Sequence, residues 1–189
     1  LIGSSNSNVA GNSFGAVFLY AGDEAGLNPA FVWSVTGDQI NWRLGTSVHG
    51  GYDVNNDGYD DVLAGGFLAA NTNGDLQAGR AEMYLGGPTF PAVTPDWEFE
   101  GDQAMANFGR SARFAGDLDN NGFVDIVVGA PGYTVNVQGE GATFGFMNGS
   151  GIPELEADWL ETEGAQSDFG FRTNPLGDVN GDGFDDVVV

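Results

Sequence analysis

The sequence predicts an all-β protein built from repeated four-stranded antiparallel sheets. Three observations predict it. A nine-residue acidic motif occurs three times, as "DVNNDGYDD" (53–61), "DLDNNGFVD" (117–125) and "DVNGDGFDD" (178–186), in steps of 64 and 61 residues. The apolar segments between copies are short, rich in Val, Ile and aromatic residues, and punctuated by 32 glycines, a profile that suits strands and tight turns. No stretch shows the 3.6-residue apolar period of an amphipathic helix.

Each period holds four candidate strands. The first (A) runs roughly from an apolar–Gly pair (Leu44–Gly45, Phe108–Gly109, Phe169–Gly170) to the acidic motif. The second (B) is the apolar run after it: "VLAGG", "IVVGAP" and the final "VVV". The third (C) is "GAVFLYAG" (15–22), "GRAEMYLG" (79–86) or "GATFGFMN" (141–148). The fourth (D) carries Trp33, Trp97 or Trp159, each a few residues before Gln39, Gln103 or Gln166. Four short antiparallel strands repeating at a fixed period describe the blades of a β-propeller. The constant register of the three tryptophans points to packing between blade faces rather than to exposed sugar-stacking platforms.

The acidic motif has the chemistry of a cation loop. Ca²⁺ is a hard ion that takes six to eight oxygens, and carboxylates at alternate positions of a tight turn supply them. The expected ligands are Asp53, Asn55, Asp57, the Tyr59 carbonyl and Asp61 in the first loop. In the second they are Asp117, Asp119, Asn121, the Phe123 carbonyl and Asp125, and in the third Asp178, Asn180, Asp182, the Phe184 carbonyl and Asp186. Asp, Asn and Gly also populate ordinary turns, but three copies in phase, each keeping the ninth-position Asp, favour metal. Without a cation, two carboxylates about 4 Å apart repel by about 4 kcal/mol at an effective dielectric of 20. Mg²⁺ demands a stricter octahedron, so Ca²⁺ fits better. An EF-hand needs Glu at position twelve between helices; here that position is Ala64, Val128 or Val189. The three ions are expected to be structural, each holding one A–B hairpin closed.

The "FG" at 108–109 and 169–170, the acidic loop and the "GAP" at 129–131 together resemble the FG-GAP repeat family, the blades of the integrin α-subunit propeller and of related bacterial and fungal proteins. The resemblance covers essentially the whole chain. The first complete repeat departs from it, with "LG" (44–45) for FG and "GGF" (65–67) for GAP. The family implies a closed ring, usually of seven blades, which needs more than twice the residues present. The chain is thus expected to be an internal piece or a processed product. It would hold a partial blade (1–38), two complete blades (39–102 and 103–164) and a second partial blade (165–189), with the remaining blades supplied by a longer chain or by other copies.

Composition narrows the function. Twenty-seven acids face five arginines and no lysine, giving a formal charge of −22, which repels nucleic acid and anionic lipid. No apolar run is long enough to insert in a membrane. Cysteine is absent and His49 is the single histidine, so Cys–His nucleophilic pairs and multi-His zinc sites are excluded within these residues. His49 aligns with Arg113 and Asn174 on strand A, where a channel wall is expected. Glu98, Glu100, Glu161 and Glu163 read as exposed charges on the outer strand. "NGS" (148–150) is one glycosylation sequon, and there is no RGD. The leading expectation is a non-enzymatic, extracellular or cell-surface calcium-binding propeller that recognises a protein or carbohydrate ligand. The alternatives are a propeller scaffold or accessory domain of a secreted polysaccharide lyase or hydrolase, and an architectural part of a surface or filament protein.

Overall fold

The computed structural model describes residues 1–9, 12–24, 26–164 and 166–189. Ala165, where the second partial blade was expected to begin, lies outside them. Fifteen strands are present among the described residues. They are β1 (Ile2–Ser4), β2 (Asn8–Val9), β3 (Asn12–Ser13), β4 (Ala16–Asp23), β5 (Gly26–Thr36), β6 (Ser47–Gly50), β7 (Val62–Gly66) and β8 (Arg80–Tyr84). The remainder are β9 (Trp97–Glu100), β10 (Ser111–Gly116), β11 (Asp125–Ala130), β12 (Ala142–Phe146), β13 (Trp159–Glu161), β14 (Asn174–Gly177) and β15 (Asp186–Val188).

Two complete four-stranded meanders, β6-β7-β8-β9 and β10-β11-β12-β13, stand between a three-stranded sheet β1-β4-β5 and the pair β14-β15. Every pairing within these sheets is antiparallel. The A strands β6, β10 and β14 contact one another from sheet to sheet, so they form the inner edge about which the sheets fan. This is the arrangement of propeller blades. The observed A strands are shorter than the apolar–Gly to acidic-motif span expected for them. The small hairpin β2–β3 was not legible, because its polar "SNSNVAGNS" surroundings carry no apolar alternation.

The sheets stack face to face, and β7, β8, β11 and β12 are buried along their whole length. Alternate residues serve opposite faces. Val62, Ala64 and Tyr84 pack toward Val17 and Trp33 of the preceding repeat and toward Trp42 and Leu44 of their own. Leu63, Ala81 and Met83 pack toward Phe108, Phe114, Ile126, Phe144 and Phe146 of the following one. The tryptophans seal these interfaces. Trp33 meets Tyr84 edge-on at 5.3 Å and Trp97 meets Phe146 at 5.2 Å, each contact crossing between consecutive sheets.

Successive sheets touch backbone to backbone along the inner edge. A Cβ placed on Gly3, Gly65 or Gly129 would lie 2.1, 2.1 or 1.8 Å from the carbonyl oxygen of Gly45, Gly109 or Gly170. The glycine of the apolar–Gly pair and the glycine of the B strand are therefore two halves of one contact. Serines complete it: the Ser47 hydroxyl donates to the Gly109 carbonyl (3.0 Å) and accepts from the Ala112 amide (3.1 Å). Ser111 repeats the role by accepting from the Thr173 amide at 3.0 Å.

One charged group is buried between the first two sheets. Arg80 on β8 lies over the Trp42 ring at 3.9 Å, pairs with Asp38 at 2.6 Å and meets Glu98 at 3.4 Å. Its Nε stands 3.5 Å from Glu82, a charge contact rather than a hydrogen bond. Burial pushes the Glu82 carboxyl up against the opposing pull of Arg80, and Tyr84 donates its hydroxyl proton to Glu82. Glu98, expected as a freely solvated edge charge, is half-buried by this pairing. Strand pairing sets β9 beside β8, which a single strand's sequence does not reveal.

Gly129→Ala is expected to cost about 3 kcal/mol in urea unfolding, because the Cβ meets backbone that has no rotamer with which to yield. Gly149→Ala, with open space around it, is expected to stay within about 1 kcal/mol of wild type.

Candidate metal centre

Each acidic motif forms the turn between strands A and B of one sheet, and its backbone is built the same way three times. The fourth position adopts a left-handed conformation, with φ 58° at Asn56, 59° at Asn120 and 78° at Gly181. The sixth does so again at Gly58, Gly122 and Gly183. Asn and Gly are the residues that tolerate this region, so the N-D-G and N-N-G choices follow from the turn.

The first Asp of each loop is the hub. Asp117 accepts from the amides of Asn121 (2.9 Å) and Gly122 (2.8 Å). Asp53 does so from Asp57 and Gly58, and Asp178 from Gly181, Asp182 and Gly183. These amides, that of Gly183 foremost, hold the Asp178 carboxyl below its ordinary value. The third-position side chains Asn55, Asp119 and Asn180 accept from the fifth-position amide. The fifth-position side chains Asp57, Asn121 and Asp182 accept from the amides of Tyr59, Phe123 and Phe184.

The ninth Asp anchors the loop in the core. Asp125 is fully buried; its two oxygens accept from the Leu118 amide (2.7 Å) and the Asn148 amide (2.8 Å). Asp61, 1% exposed, accepts from Val54 and Gly86 in the same way. Burial pushes the Asp125 carboxyl up to about 6, with the charges of Asp119 and Asp117 adding to the shift and the two amides opposing it. Asp61 is raised for the same reasons. Asp186 accepts from Val179 at 3.0 Å but is less enclosed.

Oxygens of Asp117, Asp119 and Asp125 lie within 4.8 Å of one another. All the ion pairs found among the described residues belong to Arg80, so no basic side chain neutralises this cluster. Three convergent carboxylates with no internal counter-charge fit a hard divalent cation. The acids of the first and third loops do not gather as closely. Their third carboxylate stands at position five (Asp57, Asp182), where its second oxygen is engaged by Asn55 or Asn180 at 3.0 Å.

Neighbouring loops are tied together by Asn148, which lies outside the motif, and by Asp185, at its eighth position. Asn148 is fully buried; its side-chain amide donates to the Val54 carbonyl of the first loop (2.9 Å) and the Val124 carbonyl of the second (3.2 Å). Asp185 accepts from the Asp117 amide and donates its own amide to the Asp117 carbonyl, both at 2.9 Å. Asn148 is also the acceptor of the NGS sequon, and with both amide hydrogens engaged in the interior it is not available for glycosylation in the folded protein. A clue to its role was present. Gly86 and Asn148 occupy equivalent places after strand C, and each donates its amide to a ninth-position Asp.

His49 sits on β6, between Tyr52 at 5.5 Å and Phe114 at 5.8 Å. The Phe114 amide donates to its Nδ1 at 3.1 Å, which requires that nitrogen to be unprotonated. Burial, then the Arg113 charge, lowers its pKa to about 4. It is a partly packed neutral ring rather than a solvated wall residue, and no nucleophile is hydrogen-bonded to it among the described contacts.

Sheets that meander outward from an inner strand, with an acidic loop after each inner strand, define an FG-GAP-type β-propeller segment. Residues 108–144 match the FG-GAP repeat model. Among curated proteins it is similar to integrin alpha-5 of Xenopus laevis, at 34% identity over 167 residues, which is 84% of this chain and 15% of that protein. It is also similar to integrin alpha-8 of Gallus gallus (31% over 166 residues, 84% and 16%). Integrin alpha-3 of Cricetulus griseus matches at 32% over 164 residues, 80% and 14%. The chain thus spans about one-sixth of the length of these relatives. No helix among the described residues is long and apolar enough to cross a membrane.

Two outcomes are expected. Asn148→Ala takes a donor from the buried Val54 carbonyl and the partly buried Val124 carbonyl and lowers unfolding stability by about 1–3 kcal/mol, measurable in urea. His49 should titrate in NMR with a midpoint near 4. Because its folded pKa is depressed, the stability it contributes is present above its ordinary value of 6.5 and is lost as pH falls toward 4.

Proposed function

We propose that this chain is part of an extracellular, calcium-stabilised propeller whose role is recognition or adhesion rather than catalysis. The observation that carries the reading is the middle loop, where three carboxylates converge without a basic partner. The in-phase recurrence of that loop and the similarity to integrin α subunits support it. Three Ca²⁺ ions would be held by Asp53, Asn55, Asp57, Tyr59 and Asp61; by Asp117, Asp119, Asn121, Phe123 and Asp125; and by Asp178, Asn180, Asp182, Phe184 and Asp186. Each ion supplies positive charge to oxygens that otherwise repel one another. Residues 39–102 and 103–164 would be complete blades, with 1–38 and 165–189 belonging to blades completed by further chain or other copies. The ligand would be a protein or a carbohydrate, bound by loops that the metal keeps rigid.

Hydrogen bonds between loops support an action of the metal at a distance. Asn148 bridges the first and second loops and Asp185 bridges the second and third. Loosening one loop therefore loosens its neighbours, and recognition depends on calcium through blade rigidity.

Melting in Ca²⁺ against excess chelator tests the reading. If Kd lies in the range of extracellular modules, about 10⁻⁴–10⁻³ M, a tenfold excess of Ca²⁺ stabilises the fold by about 1.4 kcal/mol per site. Tm should fall clearly on chelation, and Asp119→Ala should remove at least the middle site's share. Unchanged melting in chelator would refute the metal assignment.

A further inference from the structure

In a chain with a formal charge of −22, three of the five arginines gather at one place. Arg113 lies on β10, Arg110 immediately before it, and Arg172 two residues before β14. With Ser111, Asn174 and Phe171 they line a cavity of about 220 Å³ on the inner strands. Arg110 is held between two rings, Phe67 at 4.9 Å from the preceding repeat and Phe171 at 4.3 Å from the following one. Arg113 donates to its neighbour's carbonyl, that of Ala112, at 2.8 Å. No carboxylate forms an ion pair with any of the three among the described residues; Asp168 shares an adjoining depression with Arg110 but does not pair with it.

Such a cluster is unfavourable by itself. Burial lowers the pKa of Arg110 and Arg113, and the charge of Arg172 lowers both further. The chain has 27 acids, yet the ion pairs found among the described residues leave this group out. Guanidinium groups present planar forks of N–H donors that match the oxygens of a carboxylate, sulfate or phosphate. A cavity of this size is below the range of about 300–1,000 Å³ that holds drug-sized ligands, and it accommodates a single small anionic group.

We propose that Arg110, Arg113 and Arg172 form an oxyanion site on the inner strands, taking one carboxylate, sulfate or phosphate group. The site is separate from the acidic loops, and its occupancy does not depend on the calcium reading. The anionic group comes either from a free ion or from an acidic side chain of a polypeptide; the same guanidinium forks serve both.

The test follows the arginine Nε–Hε NMR signals as sodium sulfate replaces sodium chloride at constant ionic strength, with a pentaglutamate peptide as a second titrant. A saturable shift confined to Arg110, Arg113 and Arg172, with Arg43 unmoved, supports the site. Arg172→Gln and Arg113→Gln should each weaken sulfate binding at least tenfold; the first replaces an exposed residue, so an unchanged Tm separates lost binding from lost folding. Displacement of sulfate by pentaglutamate would identify an acidic polypeptide as the source, and sulfate binding without displacement a free anion. A linear, non-saturating drift of all five arginines, or wild-type affinity in both variants, overturns the proposal.

Discussion

The close approach of backbone to backbone along the inner edge sets the geometry of everything else. Where Gly65 rests on the Gly109 carbonyl and Gly129 on that of Gly170, two sheets come closer than any side chain permits. That contact fixes the spacing at the inner edge, and Ser47 and Ser111 fix the register by binding across it. Larger residues then fill the widening gap outward, from Phe108 and Phe114 to Trp97 and Phe146. Glycine inside and tryptophan outside are thus two consequences of one fan-shaped packing.

Charge is distributed along the same strands with opposite sign at either end. Arg110 and Arg172 stand before the inner strands β10 and β14; the acidic loops follow them. A strand of six residues spans about 20 Å, about two Debye lengths at physiological salt. The two groups of charge are therefore largely screened from each other and do not cancel. Each needs its own counter-ion, and the ion pairs found among the described residues belong to Arg80, deep between the first two sheets. Breaking that buried set by removing one partner would be costly, although the set is a weak argument for net stability. Its role is better understood as fixing how Trp42, β8 and β9 meet.

The sequence by itself determined the all-β class, the period, the four strands per repeat and the loop residues. Those features are local. A turn needs left-handed positions, so it needs Asn and Gly at set places; a strand buried on both faces needs mostly apolar residues. Trp33 and Trp97 were legible for the same reason, since a constant register within the repeat implies a similar environment, whereas Trp159 is only half-buried.

Only the tertiary structure decided what lies across a sheet boundary. Asn148 reads as a sequon and is instead a buried clamp 94 residues from its partner Val54. Glu98 reads as an edge charge and is drawn in by Arg80 on the adjacent strand. Arg110 and Arg172 are separated by 62 positions, and neither shows in the chain that the other's guanidinium faces the same cavity. Motif spacing records the needs of one turn or one strand; contacts between repeats depend on how sheets stack, and stacking is set by many glycines and aromatics acting together.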